Sequence, residues 1–253
     1  MSAYAERAAP GAIHRAVACL WSTVADGRGA ILPDGCVDLI HMEGAGAFVA
    51  GPDTGPGPSG AGLVSGLRLR PGHAAAVLGV PAHDLRDRRV ALGDLWGRDG
   101  AELAARLEEA PSAAARHALL ARAIGARAQP ADPLALGAVA LLADRPQRQV
   151  ADVARELAVS ERHLLRRLRA AVGYGPKTLA RILRFQRLLV LAQRDAAGLA
   201  DLALSAGYAD QAHMTAEVSR LAGAPPTAVL GVAHARGDAR LVRSVKDRTA
   251  RAT

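Results

Sequence analysis

The sequence of 253 residues lacks the features that mark several classes of protein. It holds two cysteines, Cys19 and Cys36, which form no Cys-x-x-Cys motif, and this argues against a disulfide framework or a structural zinc site. No apolar run approaches the roughly 18 residues that a membrane span needs, so we expect no membrane partner. Residues 1–10 lack the build of a signal peptide, and we expect a cytoplasmic protein.

Catalytic motifs are also missing. The chain shows no nucleophile elbow, phosphate loop or metalloprotease helix. His41, His73 and His83 lack the tight spacing of metal ligands. We therefore expect no metal, no cofactor and no enzymatic activity.

Aromatic residues make up only 3% of the chain, but apolar residues make up 50%, so Leu, Val and Ala must fill the core. The charge is unevenly spread. Residues 1–144 hold 13 basic and 15 acidic residues, whereas residues 145–253 hold 19 and 9. Arginine outnumbers lysine by 30 to 2, and arginine suits guanine and phosphate contacts. The pattern favours a polyanion-binding second half, although an arginine-rich proteome would give the same excess.

The first half changes texture near residue 92. Residues 11–90 alternate Gly- and Pro-rich turns with short apolar runs, which predicts a small β-sandwich or barrel. Residues 14–21 fit either a strand or a short helix. From about 92 to 126, apolar residues recur at helical spacing and Pro111 interrupts them, so we expect a hairpin of two helices. The runs expected in the β-rich part are Cys36–His41, Ala47–Val49, Leu63–Leu69 and Ala74–Val80.

The basic half contains an internal repeat. The segment Val150–Ala154 is echoed by Leu199–Ala203, and the closing Gly173–Pro176 is echoed by Gly223–Pro226. Each copy predicts a short amphipathic helix, a tight turn and a second amphipathic helix. We call these copies the first and second motifs, and the second helix of each its reading helix.

The local signals within each copy indicate a helix-turn-helix. Ser160 and Asp210 are good N-caps for the reading helices, and Gly207 can take the positive φ of a tight turn. One such pattern is weak because any helical hairpin imitates it, but two at matched spacing are specific. The stretch 177–194 between them predicts a helix about 27 Å long. That length suits two reading helices about one duplex turn, roughly 34 Å, apart.

These residues resemble the DNA-binding domain of AraC/XylS-family transcription regulators over about residues 133–232. The specific parts are the paired motifs, the Gly-Tyr-x-Asp-Gln stretch at Gly207–Gln211 and the Gly-x-x-Pro at Gly223–Pro226. The resemblance implies a sequence-specific transcription regulator that binds double-stranded DNA. It also implies RNA polymerase and a second copy of the chain as partners.

The outward positions of the reading helices supply the predicted DNA contacts. Arg162 and Arg166 are four residues apart, hence on one face, and can bridge guanine O6 and N7. Leu165 between them can pack on a thymine methyl group, while Arg167 and Arg169 suit phosphate. An ordinary solvated helix face is the alternative for each. The full predicted set is Ser160, Arg162, Leu165, Arg166, Arg169, Gln211, Ala212 and Thr215.

The second motif departs from the family pattern. Relatives often carry an arginine where this chain has Ala216, and Arg220 is the basic residue nearby. Gln211 can still pair with adenine. We therefore expect the first motif to supply most of the base readout and the second to act more as a positioning element.

The segments Leu32–Ile40 and Arg70–Gly72 resemble an N-terminal sensory domain found in some members of the same family. This implies a cupin-like β-barrel that binds a small-molecule effector, and a helical hairpin that dimerises. Strand alternation places Cys36, Asp38 and Ile40 on one face of a strand. A turn residue and a small buried apolar residue are the plainer interpretations of Asp34 and Cys36. The residues predicted to hold the effector are Asp34, Cys36, Asp38, Arg70 and His73.

The sequence thus predicts an α+β protein in three parts. Residues 1–128 form a small β-barrel with a helical hairpin and act as a sensing and dimerisation domain. Residues 129–235 form an all-α DNA-binding domain of two motifs joined by a long helix, and residues 236–253 form a basic, disordered tail. Two rival functions stay open: a barrel-type enzyme fused to a DNA-binding module, and an architectural DNA binder without a ligand.

Overall fold

A computed structural model gives the fold for residues 4–194 and 198–236. The predicted tail falls outside the described residues, apart from Arg236. The strands of the described part are β1 Ala5–Ala8, β2 Val17–Asp26, β3 Ala30–Ile31, β4 Val37–Met42, β5 Gly46–Ala50, β6 Gly57–Pro58, β7 Ala61–Leu69 and β8 Arg89–Ala91.

The helices occupy most of the remaining chain. Four belong to the first half: α1 Ala74–Leu78, α2 Leu92–Trp96, α3 Arg98–Glu108 and α4 Ala113–Arg127. The second half follows as α5 Pro133–Asp144, α6 Val150–Glu156, α7 Glu161–Val172, α8 Pro176–Arg194, α9 Leu199–Ala206, α10 Gln211–Ala222 and α11 Pro226–Arg236. A 3₁₀ turn, Ala82–Asp84, lies between α1 and β8.

The predicted α+β class is confirmed, with one difference in the β part. Six strands form an antiparallel sheet in the order β1-β2-β7-β4-β5-β8, and β3 and β6 form a separate two-stranded ribbon. Among the described residues β1 and β8 are the edges of the sheet, so it is open rather than a closed barrel. Closure needs the first and last strands to pair, and such long-range pairing leaves no local signal in a sequence.

The two faces of the sheet bury different groups, as strand alternation predicts. Val37 and Leu39 of β4 point into the main core, which is completed by α1, α3 and α4. Ile40 belongs to a smaller cluster with Trp21 on the opposite face. Asp38 shares that second face, where its carboxylate accepts a hydrogen bond from the Trp21 indole.

Two local expectations for the first half are settled by the structure. The ambiguous stretch 14–21 leads into strand β2. The run Ala74–Val80, expected as part of the β pattern, contains helix α1 instead. Alanine favours helix over strand, and Gly79 ends the helix in the left-handed conformation at φ 79°.

The second half follows its predicted pattern closely. The break at Pro111 separates α3 from α4, and each motif forms its two helices, α6–α7 and α9–α10. These helices surround α8, whose Leu179, Ile182 and Phe185 are buried. Gly207 has φ 96° in the turn of the second motif, and Ala158 takes φ 53° in the turn of the first.

The two halves of the chain touch near the closing turn of the first motif. Gln186 of α8 donates a hydrogen bond from Nε2 to the carbonyl of Pro33, at 2.6 Å. The ring of His83 has Nδ1 3.3 Å from the carbonyl of Arg169 at the end of α7. Gly173 lies against Pro52 and Ala82, so closely that a side chain there would collide with them. The first motif is therefore held against the β-rich part of the first half, residues 4–91, which we call the sheet domain.

Candidate DNA interface

The first reading helix, α7, is positioned by a cap and a buried stripe. The Ser160 hydroxyl accepts a hydrogen bond from the backbone N–H of His163 at 3.2 Å, as expected of an N-cap. Leu164 and Leu168 are fully buried against the core of the second half. These contacts fix the rotation of α7 about its axis and leave the opposite face in solvent.

The exposed face of α7 carries three arginines. Arg162, Arg166 and Arg169 are exposed and form no ion pair among the described residues. Two other arginines form ion pairs with α6: Arg148, just before the first motif, lies 2.6 Å from Glu156, and Arg155 lies 2.6 Å from Asp152. Leu165 is 40% exposed between the first two arginines. The three free arginines make this face the strongest candidate for a polyanion.

Arg167 is directed elsewhere. Its Nε donates to Oδ2 of Asp132, the N-cap residue of α5, at 2.6 Å. This hydrogen bond is the main cause that lowers the pKa of the Asp132 carboxyl below its ordinary value. Arg167, which the sequence assigns to phosphate, therefore links α7 to the start of α5.

The second reading helix, α10, has the same local design with different outward chemistry. The Asp210 carboxylate caps it by accepting from the N–H of His213 at 2.7 Å. Gln211, Ala212 and Thr215 are exposed, and the Thr215 hydroxyl donates to the Gln211 carbonyl at 2.8 Å. The predicted contacts in the second motif thus face outward but carry no charge.

Sequence reasoning missed one charged residue inside the second motif. Glu217 is only 3% exposed and forms a bidentate ion pair with Arg184 of α8. The helical spacing of Met214, Val218 and Leu221 placed position 217 on the same inner face. That spacing was the available signal, and a glutamate at such a position calls for a partner.

Three of the predicted effector residues lie near one another on the sheet domain. Asp34 accepts a hydrogen bond from the Cys36 N–H at 2.8 Å, and its carboxylate lies 3.6 Å from Arg68. The Nε of Arg68 donates to Asp38 at 3.1 Å. Burial, followed by the nearby Asp38 carboxylate, raises the pKa of Asp34, while Arg68 opposes the shift.

The other two predicted effector residues belong to a neighbouring turn. Arg70 donates from Nε to the carbonyl of His14 at 3.3 Å, and its own carbonyl accepts from the backbone N–H of His73 at 3.1 Å. His73 is buried at the start of α1. The five predicted residues therefore form two groups: Asp34, Cys36 and Asp38 lie at or just before the start of β4, and Arg70 and His73 lie just after the end of β7.

A surface groove of about 330 Å³ lies between α2, α3 and α4, and none of the five predicted effector residues lines it. Within residues 4–194 and 198–236, no cluster of three or more His, Cys, Asp or Glu side chains could hold a metal ion. In the same part of the chain, no helix has the length and apolar character needed to cross a membrane.

Comparison with known families decides the identity of the second half. Residues 153–231, which hold the connecting helix, the second motif and all but the first three residues of the first motif, match the family described as helix-turn-helix domain. This region is an AraC-type helix-turn-helix domain. The resemblance noted from Gly207–Gln211 and Gly223–Pro226 is thereby confirmed. In helix-turn-helix domains generally, the second helix of the motif enters the major groove, and α7 and α10 hold that position in the two motifs.

The rest of the chain is less informative. Residues 6–91, ahead of the AraC-type domain, match a domain of unknown function (DUF6597). Comparison with curated proteins gives no match.

Solved structures of ToxT from Vibrio cholerae show a distant similarity. One is 11% identical, with 91% of this chain and 97% of that chain covered and a TM-score of 0.45. Another, with bound unsaturated fatty acid, is 10% identical, with coverages of 83% and 93% and a TM-score of 0.43. With TM-scores below 0.5, these similarities support no conclusion about this chain.

Proposed function

We propose that this protein is a sequence-specific transcription regulator of the AraC type, which acts on chromosomal DNA in the cytoplasm. The observation that carries the proposal is the exposed face of α7, where Arg162 and Arg166 form no ion pair with any described residue, whereas the nearby Arg148 and Arg155 do. Each can reach guanine O6 and N7, with Leu165 against a thymine methyl. Ser160 and Arg169 would meet the backbone, and Gln211, Ala212 and Thr215 would line the second groove.

Selection of bound sequences from a random DNA duplex pool tests this function. We expect the full chain to enrich one site with two conserved segments about one helical turn apart. The segment read by α7 should be rich in guanine. An architectural binder would instead enrich nothing beyond the starting pool, and that result would refute the proposal.

We further propose that the first half senses a small-molecule effector near Asp34, Cys36, Asp38, Arg70 and His73. The buried position of Asp34 and Asp38 supports this, because buried charges can fix the orientation of a ligand. An effector would have to compete with Arg68 and Trp21 for these carboxylates. Dimerisation through α3 and α4, and contact with RNA polymerase, are the partner proposals that complete this function.

We also propose a domain boundary at residue 128, between α4 and α5. A fragment of residues 129–236 is expected to fold alone and to bind the selected site, because all buried residues of its core lie within 135–230, with Leu32 of the first half packed against them from outside. Circular dichroism melting and gel-shift titration would check this. An unfolded fragment would place the boundary elsewhere, and a variant of the fragment with Arg166→Ala serves as the control for specific binding.

A further inference from the structure

A buried charge cluster joins the second reading helix to the connecting helix. Glu217 of α10 is 3% exposed, and Arg184 of α8 reaches it with two nitrogens: Nε lies 3.0 Å from Oε1, and Nη2 lies 2.7 Å from Oε2. Arg181 and His213 also approach the Oε2 atom, each at 3.7 Å. The carboxylate is therefore surrounded by cationic or ring nitrogen groups from both helices.

The same cluster holds the turn of the second motif. The Arg184 guanidinium lies 4.8 Å from the centre of the Tyr208 ring. Tyr208 in turn meets the His213 ring edge to face, with centroids 5.4 Å apart. We name Arg184, Tyr208, His213 and Glu217 the Glu217 cluster. It links the connecting helix, the turn and the reading helix at a single point.

The first motif has an ion pair at the corresponding place. Position 217 follows position 167 by 50 residues, the same offset that relates Gly223 to Gly173. Arg167 pairs with Asp132 of the preceding helix α5, just as Glu217 pairs with α8. The charges are exchanged, because the reading helix supplies the cation in the first motif and the anion in the second. The Arg167 side chain is 44% exposed, whereas Glu217 is buried. Both reading helices are thus tied from one equivalent position to the helix that precedes their motif.

We infer that Glu217 is a positioning residue that sets the spacing of the two DNA segments the protein accepts. The inference rests on the proposed DNA-binding function. Apolar contacts from Met214 and Val218 hold α10 on the core but are non-directional. A bidentate ion pair fixes orientation as well as distance. Since α8 carries both motifs, the angle of α10 on α8 determines where the second groove must lie.

Helix α10 carries little positive charge, so its orientation matters more for DNA binding than its attraction for phosphate. Arg220 is the basic residue of α10, and the outward Gln211 and Thr215 are neutral. The second motif therefore contributes little general attraction for phosphate. Its contribution to specificity depends on meeting the groove at the correct angle.

The test uses the full chain and the selected site with one to five base pairs inserted between its two conserved segments. Wild-type affinity is expected to fall steeply with insertion, because about 10 base pairs make a turn and each insertion rotates the second groove away. Glu217→Gln is expected to reduce this discrimination by about fivefold or more. Binding to the segment read by α7 alone should stay unchanged.

Two further variants separate positioning from folding. The double variant Arg184→Met/Glu217→Leu replaces the pair with apolar groups and is expected to keep the wild-type melting temperature while still accepting altered spacings. Asp201→Asn, an exposed residue of α9, removes the same charge and should keep the steep spacing profile. The inference would be overturned if the double variant kept the wild-type melting temperature and its affinity still fell steeply with insertion. It would also be overturned if the affinity of Glu217→Gln fell as steeply as that of the wild type. A wild-type chain that selects no sequence would instead refute the DNA-binding function itself.

Discussion

Replacing Arg166 with alanine is expected to weaken binding to the selected site by about 1–3 kcal/mol, roughly 5- to 150-fold. The guanidinium is exposed on α7 and forms no ion pair among the described residues, so no internal ion pair is lost with it. Its removal should also relax the preference at one base pair, because a bidentate contact to guanine carries base identity. Fluorescence anisotropy titrations against the site and its single-base variants would measure both effects.

Two arginines serve as controls for that result. Arg169→Ala should weaken binding to all sequences alike and reduce the slope of log affinity against log salt by about 1, as expected for a phosphate contact. Arg28→Ala, in the exposed loop between β2 and β3 of the first half, should leave DNA binding unchanged. If Arg166→Ala retained full discrimination at every base pair, the assignment of base readout to this side chain would be wrong.

Among the substitutions considered in this Discussion, replacing Arg68 is expected to lower the free energy of unfolding the most. The guanidinium stands between the carboxylates of Asp34 and Asp38, and all three side chains are less than 15% exposed. In Arg68→Leu both carboxylates stay buried without their cation, which typically costs about 3–5 kcal/mol. Urea unfolding followed by circular dichroism would measure the change. Arg106→Leu, an exposed arginine without an ion pair among the described residues, is the matched control.

The loss should depend on pH in a defined direction. Burial already raises the pKa of Asp34, and Arg68 is the main group that opposes the rise. Without Arg68 the folded-state pKa of Asp34 should rise further above its unfolded value. A group with a raised folded pKa favours the folded state below its unfolded pKa and loses that contribution as the pH rises. The deficit of Arg68→Leu should therefore be largest near neutral pH and shrink toward about pH 4.

The double variant Arg68→Leu/Asp38→Asn offers a second check. It removes one of the two uncompensated charges, so it should recover part of the lost stability at neutral pH. A deficit that is equal at all pH values, or below about 1 kcal/mol, would show that the three charges do not act as a buried network.

The sequence was most informative where structure depends on neighbours along the chain. Ser160 and Asp210 were recognisable as caps because each acts on a backbone group three residues ahead. Helix spacing identified the buried Leu164 and Leu168 in the same way. The repeat added independent support, since two copies of one local pattern rarely arise by chance.

The candidate site was only partly predictable because some of its contacts join residues that are far apart in the sequence. The sequence assigns Arg162 and Arg166 to bases and Arg167 to phosphate, but no local feature shows that Asp132, 35 residues away, pairs with Arg167. No feature of the sequence near Glu217 indicates that its partner is Arg184, which lies 33 residues earlier in the chain. The run Ala74–Val80 is a short apolar stretch, which fits a buried strand and a buried helix equally well, and the structure shows that it contains helix α1.

By itself, the sequence determined the helices of the two motifs, their caps, the turn glycine at position 207 and the outward face of α7. These follow from hydrogen bonds and side-chain spacing within three or four residues. Only the tertiary structure decided that the sheet is open, that Asp34 and Asp38 share one arginine, and that Glu217 is buried against α8. Those outcomes depend on which distant segments pack together, and on whether a charge taken out of water finds an opposite charge there.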